Sequence, residues 1–81
     1  MSDMVRRRRK RRERITETTL YLLDQQDWRF SDLFYLVQKT TKSRLSRQGL
    51  GIIMRPYFQN GTLISERVSD HGVETHIWRK P

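Results

Sequence analysis

Seven consecutive cations, Arg6, Arg7, Arg8, Arg9, Lys10, Arg11 and Arg12, set the first limit on how this chain can fold. Like charges at that density repel one another, so the run is expected to fray when free and to order on a polyanion. It divides the 81 residues into a basic arm at 1–13, expected to be flexible, and one folded domain at 14–81. A domain of that size buries a smaller share of its surface than a larger one, so its core is modest. Eight aromatic residues, Trp28, Trp78, Tyr21, Tyr35, Tyr57, Phe30, Phe34 and Phe58, are enough to pack one. The chain has no cysteine, which removes a disulfide framework, thiol catalysis and the usual zinc-finger site, and fits a reducing compartment.

The formal charge of +8 is unevenly distributed. Eight bases against Asp3 and Glu13 leave residues 1–14 at +6, whereas Glu17, Asp24, Asp27 and Asp32 against Arg29 leave residues 15–32 at −3. Residues 33–57 carry Lys39, Lys42, Arg44, Arg47 and Arg55 and no acid, giving +5, and residues 58–81 are balanced. The folded part therefore has a basic region of its own, separate from the arm.

Periodicity supplies the elements. Between Arg14 and Gln26 there is no Gly or Pro, and Ile15, Thr19, Leu22 and Leu23 share one helical face; the helix can extend back into the arginines, which are good helix formers. Trp28 and Phe30 alternate around Arg29 as in a very short strand. Ser31 is the expected N-cap of a second helix, with Asp32 in its first turn and Phe30 and Tyr35 as a hydrophobic staple. That helix buries Leu33, Phe34, Leu36 and Val37 and ends near Thr40 and Thr41. A third helix follows the candidate caps Ser43 and Ser46, with Leu50, Ile53, Met54 and Tyr57 as its apolar stripe and Arg44, Arg47, Gln48, Gly51 and Arg55 opposite. Pro56 predicts a kink or an end close to Arg55. Asn60-Gly61 is a turn signal, and the runs 62–69 and 73–79, joined by Asp70-His71-Gly72, predict a hairpin. On its second strand Val73, Thr75 and Ile77 oppose Glu74, His76 and Trp78, and the pattern leaves open which set is buried.

The order helix, short strand, helix, helix, strand, strand resembles the winged helix-turn-helix superfamily. The residues that carry the resemblance are Ser46-Arg47-Gln48-Gly49-Leu50-Gly51-Ile52-Ile53-Met54 leading to Tyr57, then Asn60-Gly61-Thr62-Leu63-Ile64, then a closing strand around Trp78. It spans roughly residues 14 to 80 and implies an α+β fold, a three-helix winged helix-turn-helix with a C-terminal β-hairpin wing. It also implies a third helix that enters the major groove of duplex DNA and a wing that touches the backbone or the minor groove. Arg47, Gln48 and Gly51 would then meet bases, arginine and glutamine having the paired donors and acceptors that guanine and adenine require. Lys42, Ser43, Arg44, Ser46 and Arg55 would hold phosphates, and Arg67 and His71 would serve the wing. The arm from Arg6 to Arg12 would lie on phosphates or in a minor groove.

Enzymatic chemistry finds no support. No serine or threonine has a histidine at a recognisable motif spacing, no Gly-rich loop links a long strand to a helix, and carboxylates are not paired. Two histidines without a cysteine or a carboxylate cluster make no metal site, and His76 reads as structural; no cofactor is expected. The aromatic residues read as core rather than as stacking platforms, with Tyr57 and Phe58 the ones to check. No apolar run nears the roughly 18 residues of a membrane span, and no apolar stretch follows the arginines to make a signal peptide.

The expectation is a double-stranded-DNA-binding protein, a transcriptional regulator or a small accessory protein of bacteria, archaea, their viruses or plasmids. It would act in the cytoplasm at the nucleoid, or in the nucleus of a eukaryotic host, as a monomer or a homodimer. Rival readings are an RNA-binding or ribosome-associated module and a winged scaffold for protein interaction. For the basic run alone, a nuclear-localisation signal and an anionic-membrane patch are further readings.

Overall fold

The computed structural model describes the backbone from Asp3 to Pro81, and the side chains from Lys10 onward except that of Asp70. Six elements follow one another: α1 (Asp3–Gln25), β1 (Trp28–Arg29), α2 (Phe30–Thr41), α3 (Arg47–Gln59), β2 (Ile64–Asp70) and β3 (Val73–Arg79). The strands form one antiparallel sheet in the order β1-β3-β2, with the β2–β3 hairpin as the wing. The fold is thus α+β, three helices and a small sheet in the arrangement of a winged helix. Among the described residues no helix is long and apolar enough to cross a membrane.

Helix α1 begins well before Arg14: its backbone is helical through the whole basic run, which fits the high helix propensity of Arg and Lys. Its inner face is the expected one. Ile15, Thr19 and Leu23 are buried at four-residue spacing, and the Thr19 hydroxyl donates to the Ile15 carbonyl at 2.7 Å, so burial leaves no polar atom unsatisfied there. Thr41 repeats the device in α2, donating to Val37 O at 2.8 Å.

The start of α2 departs from the sequence expectation. Arg29, extended in β1 with ψ 135°, occupies the N-cap position without a side-chain cap, and Phe30 is already helical. Packing explains this: the Phe30 ring lies 4.9 Å from Trp78 and 6.2 Å from Phe34, which anchors the first turn directly against the sheet and leaves Ser31 inside the helix. Tyr35 is 65% exposed, so the proposed staple with Phe30 is not formed. Asp32 does lie in the first turn. The helix ends at Thr41 through Lys42 in the left-handed conformation (φ 52°), whose N–H donates to Gln38 O.

Helix α3 is capped by Ser46, whose Oγ accepts from the Gly49 N–H at 2.8 Å; Ser43 does not cap it. The helix passes through Pro56 and ends at Gln59, one turn beyond the expected stop. Proline removes only its own N–H, and past it Asn60 N donates to Pro56 O and Leu63 N to Tyr57 O, both at 3.0 Å, so the last turn is tied into the chain that follows. Gly61 (φ 83°) then makes the reversal, while Asn60 Oδ1 accepts from Thr62 N at 2.9 Å.

The core consists of Ile15, Leu23, Leu33, Val37, Leu45, Leu50, Met54, Leu63 and Trp78, drawn from every helix, the connections on either side of α3, and the sheet. Trp78 settles the face of β3 that the sequence left open. It is only 6% exposed, stands opposite Trp28 and Ser65 across its two ladders, and meets Phe58 edge-on at 4.7 Å. Trp28 is itself fixed by its indole N–H, which donates to Leu22 O at 2.7 Å. The wing turns at His71 (φ 50°) and Gly72 (φ 79°), two consecutive positive φ values of the kind that match strand twist in a two-residue hairpin.

Candidate nucleic-acid interface

The outward side of α3 is defined by the residues that it buries. With Leu50 and Met54 inside and Ile53 and Tyr57 half-buried, Gln48, Ile52, Arg55 and Gln59 recur at i, i+4, i+7 and i+11 on the opposite side, and all four are exposed. Gly51 lies beside this stripe; a Cβ built there meets nothing within 4 Å. The protein's own packing therefore does not require a glycine at that position.

Cations gather around the N-terminal end of the stripe. Arg47 is exposed and its guanidinium sits 5.8 Å from the centre of the Phe34 ring, which turns it toward α2. Arg44 and Lys42 are exposed in the connection from α2 to α3, held in place by buried Leu45. Arg11 of α1 donates from Nη2 to the Arg44 carbonyl, bringing the C-terminal end of the basic run against the same connection. Lys39 lies farther back on α2, 6.0 Å from the Tyr35 ring. Three ion pairs among the described residues lie elsewhere: Arg67 with Glu74, Arg79 with Glu66, and Lys80 with Asp24. Among the described residues none of Lys39, Lys42, Arg44, Arg47 and Arg55 is in an ion pair. The uncapped N–H groups of the first turn of α3 add the positive end of its dipole to this cluster.

The residues singled out from the sequence are thus placed unequally. Gln48 and Arg55 share the outer stripe, Arg47 flanks it on the α2 side, and Arg44 and Lys42 precede it. The two serines are engaged locally, Ser46 as the cap and Ser43 by donating to Thr41 O at 3.3 Å. In the wing, Arg67 lies 4.0 Å from Glu74 with both side chains well exposed, and His71 occupies the tight turn. His76 is exposed on the strand face that it shares with Trp78. Of the basic arm, Lys10, Arg11 and Arg12 are exposed, and the side chains of Arg6, Arg7, Arg8 and Arg9 lie outside the described residues. Phe58 packs on Trp78, and Tyr57 is half-buried at the edge of a groove between α1 and α3. That groove, about 690 Å³, is lined by Ile52, Ile53, Pro56, Tyr57 and Asn60 on one side and by Arg12, Glu13, Thr16 and Glu17 on the other. Among the described residues no cluster of three His, Asp or Glu side chains could hold a metal ion.

Sequence reasoning missed Ile52. It sits in an unbroken apolar run with Ile53 and Met54, and the sequence pattern assigns those two to the apolar stripe while leaving Ile52 on neither side of the helix. The signal that could have found it was its position four residues after Gln48 and three before Arg55, within the polar set.

A comparison with protein-family models finds none that matches this chain, and a comparison with curated proteins finds no similar sequence.

Proposed function

We propose that this protein binds duplex DNA, with α3 seated in the major groove, the cations of the α2–α3 connection and of α1 on phosphates, and the wing against the flanking backbone. The biological role that fits is transcriptional regulation or an accessory function on DNA. The observation that supports this reading is the concentration of Arg44, Arg47 and Arg55 around a glutamine-bearing helix face with no acid on it, none of the three taken up by an ion pair among the described residues. A B-form major groove is wide enough for a helix, and its edges present the acceptors and donors that Arg and Gln match. The Arg11 contact with Arg44 O makes the phosphate-binding charge of α1 continuous with that face.

The test is competition at physiological salt between a mixed-sequence DNA duplex and a structured RNA of equal length, using the full chain. Preference for the duplex is expected; preference for the RNA would replace this reading with an RNA-binding one, for which an arginine-rich helix is also suited.

Gly51 gives a second prediction with opposite signs for stability and binding. Because a methyl group there has open space around it and alanine is the better helix former, Gly51→Ala is expected to stabilise the fold by about 0.5–1 kcal/mol. The same methyl group stands between the α3 backbone and a closely approaching groove wall, so duplex affinity should fall while the melting temperature rises. Calorimetric unfolding and a binding titration on the same preparation check both; a variant that gains stability and keeps its affinity shows that DNA does not approach this flank.

A further inference from the structure

The outer face of α3 has one feature that phosphate binding does not account for. Ile52 is 46% exposed at the middle of a stripe that otherwise carries Gln48, Arg55 and Gln59. Resting on the duplex-DNA reading above, we infer that Ile52 is a specificity-determining residue that packs against the C5-methyl group of a thymine in the major groove.

The argument is one of chemical complementarity. A surface that covers this stripe must offer hydrogen-bonding groups to Gln48 and Gln59 and negative charge to Arg55, yet an apolar group to the residue between them. The base edges of the major groove meet all three demands, because the thymine methyl is the apolar group among their donors and acceptors, and the phosphates lie along the groove's walls. On its other flank Ile52 borders the groove toward α1, whose lining sets Glu13 and Glu17 against the single cation Arg12 and so favours a polyanion less than the Gln48 and Arg55 side does. The methyl contact is therefore made from the Gln48 and Arg55 side.

The spacing makes the assignment concrete. Four residues of helix advance about 6 Å, the length of roughly two base-pair steps at about 3.4 Å each. With adenine as the partner of Gln48, the thymine read by Ile52 lies about two base pairs from that adenine. RNA offers no equivalent, since uracil lacks the methyl group and the major groove of an A-form helix is too narrow for a helix to enter.

The experiment uses the full chain and a duplex selected by it from a random pool. Each thymine of the selected sequence is replaced in turn by deoxyuridine, which removes the methyl group and leaves base pairing intact. One replacement is expected to weaken binding by the parent chain about fourfold, the scale of one buried methyl-sized group. Ile52→Ala should bind the unmodified duplex about as weakly as the parent binds the modified one, with no further loss on deoxyuridine. Ile52 is exposed, so matched unfolding curves verify that the variant is folded. The inference is overturned if no deoxyuridine replacement matters to the parent chain, or if Ile52→Ala stays equally sensitive to the replacement. It is also overturned if Ile52→Ala keeps full duplex affinity and instead loses self-association, the result expected of a protein-docking groove. Selection of no sequence at all overturns it while leaving sequence-independent duplex binding intact, whereas failure to bind any duplex refutes the functional reading itself.

Discussion

Raising the salt concentration from 50 to 200 mM is expected to weaken duplex binding by roughly a thousandfold, because neutralising about six phosphates gives a slope of log affinity against log salt on the order of −5. The size of the effect depends on where the cations are rather than on the net charge of +8 alone. A cation already paired with a carboxylate contributes little to counterion release, and among the described residues Arg67, Arg79 and Lys80 are so paired. Arg44, Arg47 and Arg55 lie outside those pairs and would supply three of the six, with cations of α1 supplying the others. Replacing these three by glutamine should reduce the slope by about 3, at roughly 0.9 for each phosphate no longer neutralised. Titrations at four salt concentrations measure both quantities. A parent slope shallower than about −2 would show that fewer than three phosphates are engaged, and would remove the electrostatic basis of the proposed interface.

Trp78→Ala is expected to cost the fold about 3–5 kcal/mol, the range for truncating a large buried aromatic residue. Few side chains here join so many parts: Trp78 ties the middle strand of the sheet to Phe30 at the start of α2 and to Phe58 near the end of α3, and it stands opposite Trp28 of β1. Removing it leaves a cavity where three elements meet, and a domain of this length has only about 5–15 kcal/mol to lose. At about 4–8 °C per kcal/mol for a domain of this size, the unfolding midpoint should drop by at least about 12 °C. Val73→Ala at the exposed wing tip provides the contrast, with an effect within about 0.5 kcal/mol. Thermal unfolding followed by circular dichroism distinguishes the two; a Trp78→Ala midpoint close to that of the parent chain would mean that the wing is not anchored through this residue.

How much of the fold was legible in the sequence depends on the range over which each feature is decided. The element order was, because its signals are local: a glycine-free amphipathic stretch at Ile15, Thr19 and Leu23, a serine cap before α3, and turn residues at Asn60-Gly61 and at His71-Gly72. What failed was decided by contacts distant in sequence. Ser31 has the right chemistry for a cap, but the Phe30 ring is drawn onto Trp78, 48 positions later, and the helix starts early. The buried face of β3 could not be chosen from an alternation in which each set of residues includes one large apolar side chain, Ile77 or Trp78; the neighbouring strand and the helices choose it. Pro56 is a local case: it predicts a kink or an end near Arg55, and the helix runs on to Gln59 because Asn60 N–H to Pro56 O and Leu63 N–H to Tyr57 O tie its last turn to the chain that follows. At the site, Gln48 and Arg55 could be assigned to the outer face by spacing alone. The inclination of Arg47 toward Phe34 could not, since it depends on the packing of α2 against α3.

The continuity of α1 across the basic run changes what the length of that run means. Charges on a slack tether have only a reach, and one residue more or less alters it slightly. Charges on a helix have a compass bearing as well: each residue inserted between them and Ile15 swings the whole set by about 100° and advances it by about 1.5 Å. The count of residues from Lys10 to Ile15 is therefore an angular setting, and under the proposed duplex binding it would determine which strand Lys10, Arg11 and Arg12 face.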